Sequence, residues 1–110
     1  MVKVYNKLVR DGIIGIIEQN GGIPKYRILS DSEMEIALLE KLVEETIELK
    51  EATTDEERKK ETADVLEVFD TILNVFGYDL EDIKTIGEEK CLKRGGFDKK
   101  IYLESVEEQE

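Results

Sequence analysis

The sequence predicts an all-α fold, an antiparallel helical bundle with short connections, and three observations carry that expectation. A capping-box pattern, S-x-x-E at Ser30 and Glu33, opens a long segment whose apolar residues recur at helical spacing. A second such segment ends at Phe76 against Gly77, and Asp79 follows where it can cap a third. The one proline, Pro24, lies upstream of all of them, so none is interrupted.

The opening MVKVYNKLV alternates and reads as extended. Asp11 is placed to cap a short helix through GIIGIIEQN, which Gly21 and Gly22 stop. IPKYRIL is an extended connector, because Pro24 biases the residue before it away from the helical region. The next helix runs from about Asp31 to Ala52 and ends in the polar turn TTDEE. Another continues to Phe76, where Gly77 supplies the left-handed residue that closes it. The last runs from Leu80 to Arg94 and stops at Gly95 and Gly96. FDKKIYLE is extended and offers a short strand pairing between the termini, while SVEEQE frays. The 110 residues thus divide into an N-terminal arm and short helix (1–30), a helical core (31–94) and an extended tail (95–110) of one domain.

Composition narrows the chemistry. A net charge of −11 disfavours binding to nucleic acid or an anionic membrane, so an anionic ligand would need a cation to receive it. Charged residues are 39% of the chain but are interleaved with Ile, Leu and Val, a pattern of folded helices rather than of disorder. There is no histidine, which removes imidazole acid–base catalysis, His triads and His-ligated zinc. The single Cys91 excludes an intrachain disulfide and fits a reducing compartment. With no apolar segment long enough to span a bilayer, the expected location is cytoplasmic.

At about 100° per residue, the placement of acids on the helices is informative. Leu38, Leu39, Leu42, Val43, Ile47 and Leu49 form a broad apolar arc, and Glu45 falls at its edge. Glu48 lies roughly 60° further round and Glu44 further still toward water. On the next helix, Val65, Val68, Phe69, Ile72, Leu73, Val75 and Phe76 define the arc; Glu61 falls inside it and Asp64 at its margin. Glu67 and Asp70 lie opposite the arc, and Glu51 is also a surface residue. Among nineteen Glu, an isolated E-E-x-x-E is unremarkable. Two i, i+3 acid pairs facing inward from successive helices are different. Unpaired buried carboxylates cost several kcal/mol, and four that converge call for a hard cation such as Mg²⁺ or Mn²⁺.

Those residues also carry a resemblance. EETIE, with Glu44, Glu45 and Glu48, followed by ETAD, with Glu61 and Asp64, resembles the E-E-x-x-E…E-x-x-D signature of the MazG-like nucleotide pyrophosphohydrolases. YNKLVRDGIIGII and KRGGFDKKIYLE resemble a subgroup of small MazG-related or phosphoribosyl-ATP-pyrophosphohydrolase-like proteins, so the likeness spans Tyr5 to Glu104. It implies the all-α bundle of that superfamily, usually dimeric, with Mg²⁺ held by Glu45, Glu48, Glu61 and Asp64. It also implies phosphate-contacting basic residues on the following helix, here Lys90, Lys93 and Arg94, of which Lys90 and Arg94 share a face. In the arm, Lys7 and Arg10 are charged residues among apolar ones and serve as either a substrate lid or a subunit contact.

The expected activity is Mg²⁺-dependent cleavage of a nucleoside triphosphate between its α and β phosphates, giving a monophosphate and pyrophosphate. Clearance of non-canonical nucleotides is one setting for it. Glu44, the most exposed acid of its triple, would orient or deprotonate the attacking water. Apolar arcs of about 180°, wider than the ~100° stripe of a lone surface helix, predict a homodimer or higher homo-oligomer. Two alternatives stand beside this reading. One is phosphoribosyl-ATP pyrophosphohydrolase of histidine synthesis; the other is a non-catalytic acidic helical dimer acting as an interaction module. A carboxylate at position 61, inside an apolar arc, distinguishes the enzyme from the module.

Overall fold

The computed structural model describes residues 1–108 and is all-helical, with no strand among the described residues. Its helices are α1 (Ile13–Gln19), α2 (Asp31–Glu51), α3 (Asp55–Phe76) and α4 (Leu80–Arg94). They form two compact units, Met1–Tyr78 and Asp79–Glu110. No helix is long and apolar enough to cross a membrane among the described residues.

Local chemistry sets the helix ends. At α2 the capping box is complete: the Glu33 N–H donates to Ser30 Oγ at 3.3 Å, and the Ser30 N–H donates to Glu33 Oε1 at 3.1 Å. Arg27 reinforces it from outside the helix through a 2.8 Å ion pair with Glu33. TTDEE carries a related pattern, T-x-x-E at Thr54 and Glu57, which opens α3. Thr54 Oγ1 accepts from the Glu57 N–H at 3.1 Å, and Glu57 reaches back to the Thr53 N–H rather than to that of Thr54. α3 closes on Gly77 at φ 70, with the Tyr78 N–H returning to the Leu73 carbonyl at 2.8 Å. Asp79 caps α4 by accepting from the Glu81 N–H at 3.2 Å.

Two expectations about the N-terminal segment do not hold. Asp11 is not the cap of α1; Gly12 occupies that position and no side chain caps the helix, because the first turn begins one residue later than Asp11 would require. No strand forms between the termini among the described residues. The arm instead turns at Asn6, whose φ of 46 lies in the left-handed region that Asn tolerates better than most residues. Beyond α1 the chain doubles back so tightly that a Cβ on Gly22 would meet Ile17 Cγ2 at 2.7 Å, so a larger residue there would force Ile17 to shift.

In the first unit, α2 and α3 pack together, joined by three residues, Ala52 to Thr54. Their contact buries Leu38, at 2% exposure, Val68 and Glu45, and half-buries Leu42, Leu49, Val65, Phe69 and Ile72. The broad apolar arc of α2 is therefore split. Leu38 faces α3, whereas Ile36, Leu39, Val43 and Ile47 are exposed, a stripe roughly 80° wide on the side opposite Glu45.

Candidate metal centre

Glu45 and Glu48 come from the C-terminal third of α2, and Glu61 and Asp64 from the second and third turns of α3. The i, i+3 spacing keeps the members of each pair close together, with Glu45 buried where the two helices meet and Glu48 exposed at the margin of that face. One oxygen from each of the four lies within 4.8 Å of the others. That span is close to the ~4.2 Å between opposite oxygens of a six-coordinate cation with 2.1 Å bonds. Glu45 is only 6% exposed, and its Oε2 is buried without a hydrogen-bond partner; so is Oε2 of half-buried Glu61. Burial, and after it the neighbouring Glu48 carboxylate, push the Glu45 carboxyl above its usual range, with Lys41 offsetting part of the rise. An all-carboxylate donor set with two orphaned buried oxygens fits a hard divalent cation such as Mg²⁺ or Mn²⁺.

Cations of the chain surround this acid group. Arg10 Nη2 donates to Asp64 Oδ1 at 2.8 Å. Lys7 Nζ donates to Glu44 Oε1 at 3.2 Å, so the arm touches both α2 and α3. Lys41 Nζ lies 3.2 Å from Glu44 Oε2 and 3.4 Å from Glu45 Oε1, with its side chain only 15% exposed. Between the arm and α2 lies a cleft of about 190 Å³, lined by Lys7, Glu40, Lys41 and Glu44 among others.

The order of exposure along EETIE differs from the helical-wheel expectation. Glu44 is half-buried and Glu48 is exposed, because Lys7 of the arm and Lys41 close over Glu44. Desolvation raises the Glu44 carboxyl, but the hydrogen bonds from Lys41 and Lys7 outweigh it and the net shift is downward. A carboxylate held below its usual range is a weak base, so orienting a water molecule suits Glu44 better than deprotonating one.

Compared with family models, curated proteins and solved structures, the chain matches none.

Lys90, Lys93 and Arg94 all lie on α4 in the second unit, are exposed, and make no ion pair among the described residues. Lys93 and Arg94 sit in the last turn, where they also offset the helix dipole. The acid group itself is built wholly within the first unit. Glu51, Glu67 and Asp70 are exposed, as their angular positions require. Lys41 is the residue that sequence reading passed over. Its signal was available: a lysine three and four residues before two acids reaches both on one helix face.

Proposed function

We propose that this chain is a Mg²⁺-dependent nucleotide pyrophosphohydrolase of the MazG-like type, and that Glu45, Glu48, Glu61 and Asp64 hold its metal. One observation carries the reading: acids from two helices converge within 4.8 Å, with buried oxygens of Glu45 and Glu61 left unpartnered. A protein that used this helix pair only for packing would gain nothing from carboxylates there.

The reaction adds water across the α–β phosphoanhydride of a nucleoside triphosphate and releases a monophosphate and pyrophosphate. When bound, Mg²⁺ supplies neutralisation of phosphate charge and acidification of a water molecule. The chain's residues do the rest. Glu44, fixed by Lys7 and Lys41, orients the attacking water. Arg10 and Lys7 bring positive charge from the arm to the edge of the acid group, where the anionic substrate has to sit.

The proposed assembly is a homodimer in which two copies complete an antiparallel bundle. Exposure of Ile36, Leu39, Val43 and Ile47 on the outer side of α2 supports it, since a regular apolar stripe of this kind is the usual seam between helices. A single exposed Cys91 is compatible with a reducing, cytoplasmic setting.

The test is pyrophosphate release from a panel of canonical and modified nucleoside triphosphates with and without Mg²⁺, run beside Glu61→Gln. Release that requires Mg²⁺ and disappears in the variant supports the reading. Absence of release from every nucleotide, together with no effect of Mg²⁺ on the melting temperature, overturns it.

A further inference from the structure

Lys41 occupies an unusual place for a lysine. Its side chain is 15% exposed, close to the acid group, where a divalent cation would make another positive charge unwelcome. Holding a long, flexible side chain there costs rotamer entropy and hydration. Neutralising acid is too general a role to explain it, because the four clustered carboxylates and Glu44 far outnumber one ammonium group.

The distribution of oxygens explains it better. Glu44 is gripped at both ends, Oε1 by Lys7 at 3.2 Å and Oε2 by Lys41 at 3.2 Å. Glu45 is gripped at one end only: Oε1 lies 3.4 Å from Lys41 Nζ, and Oε2 is buried with no partner. Lys41 thus takes one oxygen of Glu45 and leaves the other available, while tying Glu45 to Glu44 through a single ammonium. Carboxylates that ligate metals are ordinarily held by a polar partner outside the ligand set, and for Glu45 that partner is the Lys41 ammonium, as an ion pair. Lys41 lies three and four residues before its two partners on the same helix, so α2 itself sets the spacing.

We infer that Lys41 is a positioning residue, which holds Glu45 in the orientation that binds a divalent cation and aligns Glu44 beside it. The inference rests on the acid group being a cation site, and it makes a prediction opposite in sign to simple electrostatics. If Lys41 were only a neighbouring charge, its removal would relieve repulsion and tighten cation binding. If it positions Glu45, its removal loosens binding.

The experiment measures Mn²⁺ affinity of the full chain by electron paramagnetic resonance and calorimetry, without substrate, for the wild type, Lys41→Met and Lys41→Arg. The expected result is a 10- to 100-fold weaker affinity for Lys41→Met, with most of the loss recovered in Lys41→Arg. Far-UV circular dichroism establishes that each variant is folded, and Lys41→Gln replaces Lys41→Met if the latter is not. Equal or tighter Mn²⁺ binding by the folded charge-removing variant overturns the positioning role and leaves the cation site standing. A wild type that binds no Mn²⁺ overturns both.

Discussion

Arg10 and Asp64 are separated by 54 residues of sequence, yet the guanidinium of one donates to the carboxylate of the other at 2.8 Å. The contact fastens the N-terminal arm to α3 beside the acid group. Both side chains remain substantially exposed, so the pair contributes only about 0–1 kcal/mol to stability. Arg10→Gln should leave the melting temperature nearly unchanged while reducing kcat/KM for the proposed nucleotide substrate at least tenfold. Equal losses of stability and activity would assign Arg10 to holding the arm and not to the substrate.

Filling the acid group should stabilise the fold. At a Mg²⁺ or Mn²⁺ concentration one hundred times the Kd, linkage adds about 2.7 kcal/mol to the folded state. Thermal melts of the wild type should therefore rise with either cation, and those of Glu61→Gln should not. In turnover assays the same variant should lose at least a hundredfold in activity while keeping its helical circular dichroism.

Without a cation, Glu45 is a burden. Burial and the nearby Glu48 raise its carboxyl, so the charged form destabilises the folded chain. Glu45→Gln, close in shape and uncharged, should match or exceed the wild type in metal-free urea denaturation, by up to roughly 1 kcal/mol. Adding Mg²⁺ should reverse that order. If Mg²⁺ leaves the order of the two urea midpoints unchanged, the burial of Glu45 is separate from metal binding.

The start of α2 carries its own pH dependence. Hydrogen bonding from Arg27, then from the Ser30 backbone and hydroxyl, lowers the Glu33 carboxyl from 4.5 to about 2. A depressed carboxylate contributes stability that is fully present above its unfolded value and lost as pH falls through the folded one. The stability difference between wild type and Glu33→Ala should thus be constant above about pH 4.5 and shrink toward about pH 2. Because the group is exposed, 1 M salt should narrow the difference at every pH. Ser30→Ala, which removes the other half of the capping box, should cost about 1 kcal/mol.

The outer stripe of α2 should govern assembly. Val43, at the centre of Ile36, Leu39 and Ile47, is 58% exposed in the single chain. Val43→Glu should halve the mass measured by sedimentation or light scattering. A mass unchanged by Val43→Glu, or a wild type that is already monomeric at high concentration, would remove the dimer from the proposal.

Much of this molecule is written in short stretches of chain. The spans of α2, α3 and α4 emerge from Ser30 with Glu33, from Gly77 and from Asp79, because each cap is satisfied by backbone groups a few residues away. Angular position singled out Glu45 and Glu61, and i, i+3 spacing paired them with Glu48 and Asp64, since the turn of a helix sets which residues are neighbours. What lay beyond reach depends on segments far apart in sequence. The half-burial of Glu44 follows from Lys7, 37 residues upstream, and nothing within EETIE announces it. The split of the α2 arc into a face against α3 and a free stripe depends on how α3 seats, which periodicity does not specify. Helix caps and faces are matters of neighbouring residues, whereas the exposure of each carboxylate and the cation it meets depend on which distant segment folds over it.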